Sequence, residues 1–305
     1  MLCTLFLKQE EYMGLNLIVL VKQVPDTQNI TGEAMKEDGT VNRAVLPAIF
    51  NPEDLHALEA ALTLKDTIPG TQVHVITMGP PSAIQVLKES LYRGADSVAL
   101  VSDRKFAGAD TLATSYALKC AIEKIGNYDI VFCGRQAIDG DTAQVGPQTA
   151  EKLNLNQITC VSNIEKVDTK KRQILAKRSI EGGFELIQAP LPVLLTITDE
   201  GYSPRPPSVI KVMTYKNASA EMTEEKYDES YIDNKVEQKS NQAINLWDIN
   251  AINADPDSCG LAGSPTKVKK IESVILVSAD IRMIENSQDA IAGMVHELIA
   301  DHTLG

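Results

Sequence analysis

A chain of 305 residues with 44% hydrophobic content is long enough to bury a large core. Its net charge of −12, from 29 Lys and Arg against 41 Asp and Glu, leaves no cationic face for a polynucleotide, so no nucleic-acid partner is expected. The 5 cysteines and 4 histidines lack CxxC, HxH or HExxH spacing, which argues against a disulfide framework or metal site and for a reducing compartment.

Residues 1–12 (MLCTLFLKQEEY) lack the basic start and small-residue cleavage site of a signal peptide, and no apolar run nears the roughly 20 residues of a membrane span. They are expected to form a loose N-terminal extension of a cytoplasmic protein without membrane insertion. The β-branched runs at 15–24 (LNLIVLVKQV), 73–79 (VHVITMG), 97–102 (SVALVS) and 129–134 (DIVFCG) predict strands buried on both faces. Helical patterns lie between them. PEDLHALEAALTLKD follows Asn51 as its expected N-cap, with Pro52 in the first turn and Glu53 and Asp54 beside the positive helix end. PSAIQVLKESLYRG closes on Gly94; TLATSYALKCAIEKIG follows Asp110 and closes on Gly126. This rhythm predicts an α/β fold, a doubly wound parallel sheet with helices on both faces, over residues 13–200.

From residue 159 the pattern changes to shorter strands without intervening helices: TCVSNIEKV, RQILAKRSI, FELIQA and PVLLTITD. These are expected as extra antiparallel strands, with a hairpin turn at Glu181, Gly182 and Gly183. Prolines in GYSPRPPS then predict that the chain leaves the compact unit, so that residues 201–305 form a docking loop and a long C-terminal arm. The arm includes a polar, charged stretch at 214–244, LWDIN, the turn-rich CGLAGSPTKVKK and a terminal amphipathic helix, SQDAIAGMVHELIADH.

Ligands of a parallel sheet collect beyond the carboxyl ends of its strands. Four segments fall there: VKQVPDT, MGPPS, SDRKFAGADTLATS and GRQAIDGDTAQVGP. The last, Gly134 to Pro147, reads as a strand-to-helix phosphate cradle. Its glycines, Gly134, Gly140 and Gly146, allow close backbone approach, and Gln136, Thr142 and Gln144 add neutral donors. Asp139 and Asp141 are expected to bond ribose hydroxyls, cap the following helix or fix the loop. An ordinary Gly-rich turn has similar spacing, and neither a Walker motif nor GxGxxG is present.

The wording of these segments resembles a family. VKQVPDT with Lys22 and Asp26, NPEDLHALEAAL from Asn51, MGPPSA from Met78, YRGAD from Tyr92 and GRQAIDGDTAQVGP are together similar to the β subunit of electron-transferring flavoproteins, from about Leu15 to Lys270. The resemblance implies an adenine-nucleotide α-hydrolase-like fold and a heterodimer with an α subunit that carries a redox FAD. It implies adenine-nucleotide contacts at Leu20, Lys22, Asn51 to Asp54, Met78, Gly79, Gly134, Arg135, Gln136, Ala137, Asp139, Gly140, Asp141, Thr142, Gln144, Val145, Gly146 and Pro147. Gly140→Val is expected to strip the nucleotide, on the premise that Gly140 needs positive φ and lies against phosphate.

SDRKFAGADTLATSYAL, with VKQVPDT and CGLAGSPTKVKK, resembles the electron-bifurcating class more closely. That likeness implies FAD in place of the structural AMP of common members, with Asp103, Phe106, Gly108, Asp110, Thr111 and Thr114 bordering the ring and diphosphate. It further implies NAD(H) as electron donor, an acyl-CoA dehydrogenase-type or other flavoenzyme as one acceptor, and ferredoxin or flavodoxin as the other. Arg135 is the candidate tuning charge, and no nucleophile or general base is required. Alternatives are a non-bifurcating β subunit with AMP and a nucleotide-sensing binding module; a hydrolase or ligase of this fold would need an SGG-type loop, which VKQVPDT lacks. The chain departs from the family at TDEGYSPRPPS, where Gly201 or Tyr202 replaces an anchoring leucine; Tyr202 is the substitute aromatic anchor. Lys267, Lys269 and Lys270 form a basic cluster for an acidic carrier or a subunit surface, whereas Cys133 and His74 are read as packed residues.

Overall fold

The computed structural model describes residues 14–26, 46–220, 243–266 and 283–300. The extension at 1–12, residues 221–242 of the charged stretch and the Lys267, Lys269 and Lys270 cluster lie outside the described residues.

The elements run β1 (Asn16–Leu20), β2 (Gln23–Pro25), β3 (Ala48–Phe50), α1 (Pro52–Thr67), β4 (Gln72–Met78), α2 (Ile84–Arg93), β5 (Ser97–Val101), α3 (Thr111–Ile125), β6 (Ile130–Gly134) and α4 (Val145–Lys152). They continue with β7 (Asn156–Asp168), β8 (Gln173–Ile180), β9 (Gly183–Pro190), β10 (Val193–Ile197), α5 (Val209–Tyr215), β11 (Ile244–Trp247) and α6 (Gln288–Ala300). Among the described residues a 9-stranded sheet has the order β11-β5-β4-β1-β6-β10-β7-β8-β9, and β2 pairs with β3 separately. Its strands are parallel from β11 to β7, and the β8–β9 hairpin extends it antiparallel.

Alternation along β1 assigns the helices to two layers. Leu17 and Val19 pack with Ala57 and Leu58 of α1 and Leu87 and Leu91 of α2. Ile18 and Leu20 point to the opposite face, onto Ala117 and Ala121 of α3 and Ala150 of α4. The period of two along a strand therefore makes the sheet doubly wound. Gly94 (φ 131°) and Gly126 (φ 90°) end α2 and α3 in conformations that L side chains rarely adopt.

Several local expectations are corrected by packing. Asn51 makes no side-chain cap on α1, because both ends of its amide are engaged by the loop after β6. β10, read together with the hairpin strands, instead inserts parallel between β6 and β7, and all its residues are buried, as a central strand requires. Leu246 and Trp247 of LWDIN complete β11, parallel to β5. The proline-rich GYSPRPPS stretch does not leave the body. The Arg205 side chain bonds both carboxylate oxygens of Glu59 (2.9–3.0 Å) and also Asp66 (2.8 Å), while Ser208 N–H donates to the Tyr92 carbonyl at 2.9 Å.

Candidate functional site

The carboxyl ends of β1, β4, β5 and β6 open onto one cleft of about 1110 Å³. Each of the four loops singled out in the sequence reaches it. Leu20 and Lys22 come from the first, Met78 and Gly79 from the second, and Asp103, Phe106, Gly108, Asp110, Thr111 and Thr114 from the third. The fourth contributes Gly134, Arg135, Gln136, Ala137, Asp139, Gly140, Asp141, Thr142, Gln144, Val145 and Gly146. Asn51 and Pro147 do not line it. Sequence reasoning missed Pro80, Pro81, Ile84 and Arg104, and also Ala220, Leu246 and Thr266, which approach from distant parts of the chain. Pro80, Pro81, Arg104 and Thr266 had a signal, since they belong to the flagged segments MGPPS, SDRKFAGADTLATS and CGLAGSPTKVKK; Ile84, Ala220 and Leu246 had none.

The fourth loop is held by its neighbours more than by its own turns. Lys22 Nζ meets Asp139 at 2.7 Å, joining the first loop to the fourth. Gln136 Nε2 donates to Asp141 (3.1 Å), and Thr111 Oγ1 donates to Gln144 (2.9 Å), tying the start of α3 to the start of α4. Gln144 makes no side-chain cap on α4, which leaves that helix start without its usual acceptor. Such an end favours an anion.

The loop glycines act differently from the expectation. Positive φ falls on Asp141 (48°) and Ala143 (52°), not on Gly140, and a Cβ on Gly140 would enter open space. The backbone premise of Gly140→Val therefore fails. A Cβ on Gly134 would stand 2.6 Å from Asp54 Oδ1, and one on Gly146 2.7 Å from Cys133 Sγ. These two glycines serve protein packing: one admits the first turn of α1, the other brings α4 onto β6.

Asp54 is buried at the base of the cleft, where its carboxylate accepts from the N–H groups of Lys22 (2.8 Å) and Gly134 (2.9 Å). Burial is the larger influence, and against those donors it pushes the carboxyl from 3.8 up to about 7. Because the folded-state value is raised, the group's contribution to stability is complete below pH 3.8 and is lost as pH rises through about 7. Relative to Asp54→Asn, which is neutral at every pH, the wild type is expected to lose stability between pH 5 and pH 8. Melting curves at the two pH values check this; a difference independent of pH would refute the titration.

In the third loop, Asp103 accepts from Lys105 N–H (3.0 Å) and Ile249 N–H (3.3 Å). Asp110 caps α3 through Leu112 and Ala113 (3.0 Å each) and accepts from Thr266 Oγ1 at 2.7 Å. Desolvation opposes ionisation of Asp110, but donors from Ala113, Thr266 and Leu112 together hold its carboxyl below the usual range. Gly108 (φ 72°) lets Leu261 approach, since a Cβ there would lie 2.7 Å from its Cγ. The segment at 259–266 thus lies directly against the third loop.

Residues 38–229 match the model of the electron transfer flavoprotein domain. The chain belongs to the electron transfer flavoprotein family. The electron transfer flavoprotein subunit beta of Clostridium acetobutylicum is 41% identical over 289 residues, covering 94% of this chain and 99% of that protein. The acryloyl-CoA reductase electron transfer subunit gamma of Anaerotignum propionicum is 38% identical over 297 residues, 95% of this chain and all of its own length. Subunit CarD of the caffeyl-CoA reductase-Etf complex of Acetobacterium woodii is 42% identical over 254 residues, 83% of this chain and 86% of its own.

As a flavoprotein β subunit the chain departs from one expectation at its docking segment. Tyr202 is buried, not an exposed anchor: its hydroxyl accepts from Ile164 N–H (2.8 Å), and its carbonyl meets His56 Nδ1. Arg135 pairs with Glu53 at 2.8 Å, which balances its charge beside the cleft. Cys133 is buried, and desolvation pushes its thiol upward. His74 Nδ1 meets Ser97 Oγ at 2.6 Å between β4 and β5. No helix among the described residues is long and apolar enough to cross a membrane.

Proposed function

We propose that this β subunit holds FAD in its cleft and, paired with an α subunit, takes part in electron bifurcation from NADH. The observation that carries this reading is the continuity of the cleft, which runs from the loop at 134–146 to Phe106, Thr111 and Thr114 of the third loop. Its volume of about 1110 Å³ is at the upper end of ligand sites, more than a mononucleotide fills.

The lining divides in character along its length. Polar loop residues and the start of α4 suit the phosphates and ribose. Phe106, Met78, Ile84, Leu118 and Leu246 offer an apolar wall for a flat ring. A bound flavin accepts a hydride as an electron pair and releases electrons singly, which is the chemistry bifurcation needs. The chain's own residues bind, orient and exclude water; a Cys133 thiolate is suppressed by burial and supplies no nucleophile.

Two of the relatives bear names of CoA-linked reductase systems. They support an acyl-CoA dehydrogenase-type or related flavoenzyme as the acceptor reached through the α subunit. Ferredoxin or flavodoxin takes the second electron, in the cytoplasm. Within residues 201–305, exposed side chains other than Tyr202 meet the α subunit.

The test is to co-produce this chain with its α subunit and count released nucleotides. Two FAD per heterodimer are expected, with the visible spectrum bleached by NADH. One FAD with one AMP overturns the proposal.

A further inference from the structure

The resemblance placed Asn51 to Asp54 among nucleotide contacts, yet neither Asn51 nor Glu53 lines the cleft. Both face the back of the fourth loop. Asn51, fully buried, donates from Nδ2 to the Gln136 carbonyl (2.9 Å) and accepts from Ile138 N–H (3.1 Å). Its own N–H donates to the Lys22 carbonyl at 3.0 Å, linking the first loop to the same point. Glu53 accepts from Gln136 N–H (2.9 Å) with one oxygen and from Arg135 (2.8 Å) with the other. The backbone polar groups of Gln136 and Ile138 that turn away from the cleft thus find partners on Asn51 and in the first turn of α1.

The support itself is rigid. α1 lies on the sheet through Ala57 and Leu58, and farther along Glu59 is bonded by Arg205. A loop with positive φ at Asp141 and Ala143 gains its fixed shape from such outside partners.

We infer that Asn51 and Glu53 are positioning residues: they hold the fourth loop in its nucleotide-binding shape and set nucleotide affinity without touching the nucleotide. This rests on the reading of the cleft as an adenine-nucleotide site, but not on the choice between FAD and AMP.

The experiment uses the heterodimer with its α subunit, stripped of nucleotide and titrated with AMP, which fits the adenylate end under either choice. Asn51→Ala removes two buried bonds to the loop and is expected to weaken AMP binding about tenfold or more. Glu53→Gln keeps an oxygen for Gln136 N–H but loses the charge opposite Arg135, with an expected weakening of about threefold. A merely structural role would lower the melting temperature of the stripped protein and leave affinity alone. Here Glu53→Gln, which keeps Gln136 N–H bonded, melts within a few degrees of wild type and still binds AMP more weakly. Wild-type affinity in Asn51→Ala overturns the inference; if that variant fails to fold, unchanged affinity in Glu53→Gln overturns it. A wild-type heterodimer that takes up neither AMP nor FAD sinks the nucleotide reading itself, and the inference with it.

Discussion

Gly134→Ala is expected to empty the cleft and weaken the fold together. The new methyl would lie 2.6 Å from Asp54 Oδ1 and 2.8 Å from the carbonyl carbon of Glu53, both inside van der Waals contact. The end of β6 and the first turn of α1 must separate. That movement breaks the Gly134 N–H bond to Asp54 (2.9 Å) and strains the neighbouring bond from Gln136 N–H to Glu53 (2.9 Å). Overpacking of this kind costs about 2–3 kcal/mol. Nucleotide content and melting temperature, measured on the same preparation, should fall together. Gly140→Ala is the control: its Cβ enters open space, and its stability is expected to stay within about 0.5 kcal/mol of wild type. Equal behaviour of the two variants would refute the packing role assigned to Gly134.

Gly201→Ala is expected to damage stability still more. A Cβ at Gly201 would fall 1.5 Å from the Ser162 carbonyl oxygen and 2.7 Å from its carbon, so backbone must yield to backbone. The segment after β10 would lift from β7 and take with it the Tyr202 hydroxyl bond to Ile164 N–H (2.8 Å) and the Arg205 bonds to Glu59. A loss of about 3 kcal/mol or more follows, a fall in melting temperature on the order of 10 °C. A shift under 2 °C would mean that the segment is not seated on β7. The same geometry shows what Tyr202 does in the stretch where Gly201 or Tyr202 replaces the expected leucine. Its ring and hydroxyl serve this chain's own packing, so exposed contacts with a partner must come from other residues.

Much of this site is visible in local sequence. Lys22, Met78, Phe106 and Gly134 each follow a short β-branched run, and a parallel sheet brings such positions to one edge. The turn conformations at Gly94 and Gly126 are equally local, as is the Asp110 cap on α3. By contrast, nothing near Asn51 distinguishes a helix cap from a side chain turned to Gln136, 85 residues away. Nothing around Leu246 marks it as the partner of Leu100 on β5 or as part of the cleft wall. The proline-rich stretch misleads for a physical reason as well: proline forbids regular structure but does not prevent a segment from being bonded to the body.

The amino-acid sequence by itself determined the parallel α/β architecture, the edge of the sheet where the cleft opens, and the family, because strand burial, helix caps and loop wording are properties of a few neighbouring residues. Only the tertiary structure decided which of those residues face the cleft and which hold it from behind. The direction of the Asn51 and Glu53 side chains, the crowding at Gly134 and Gly201 and the burial of Asp54 arise where distant segments compete for the same small volume.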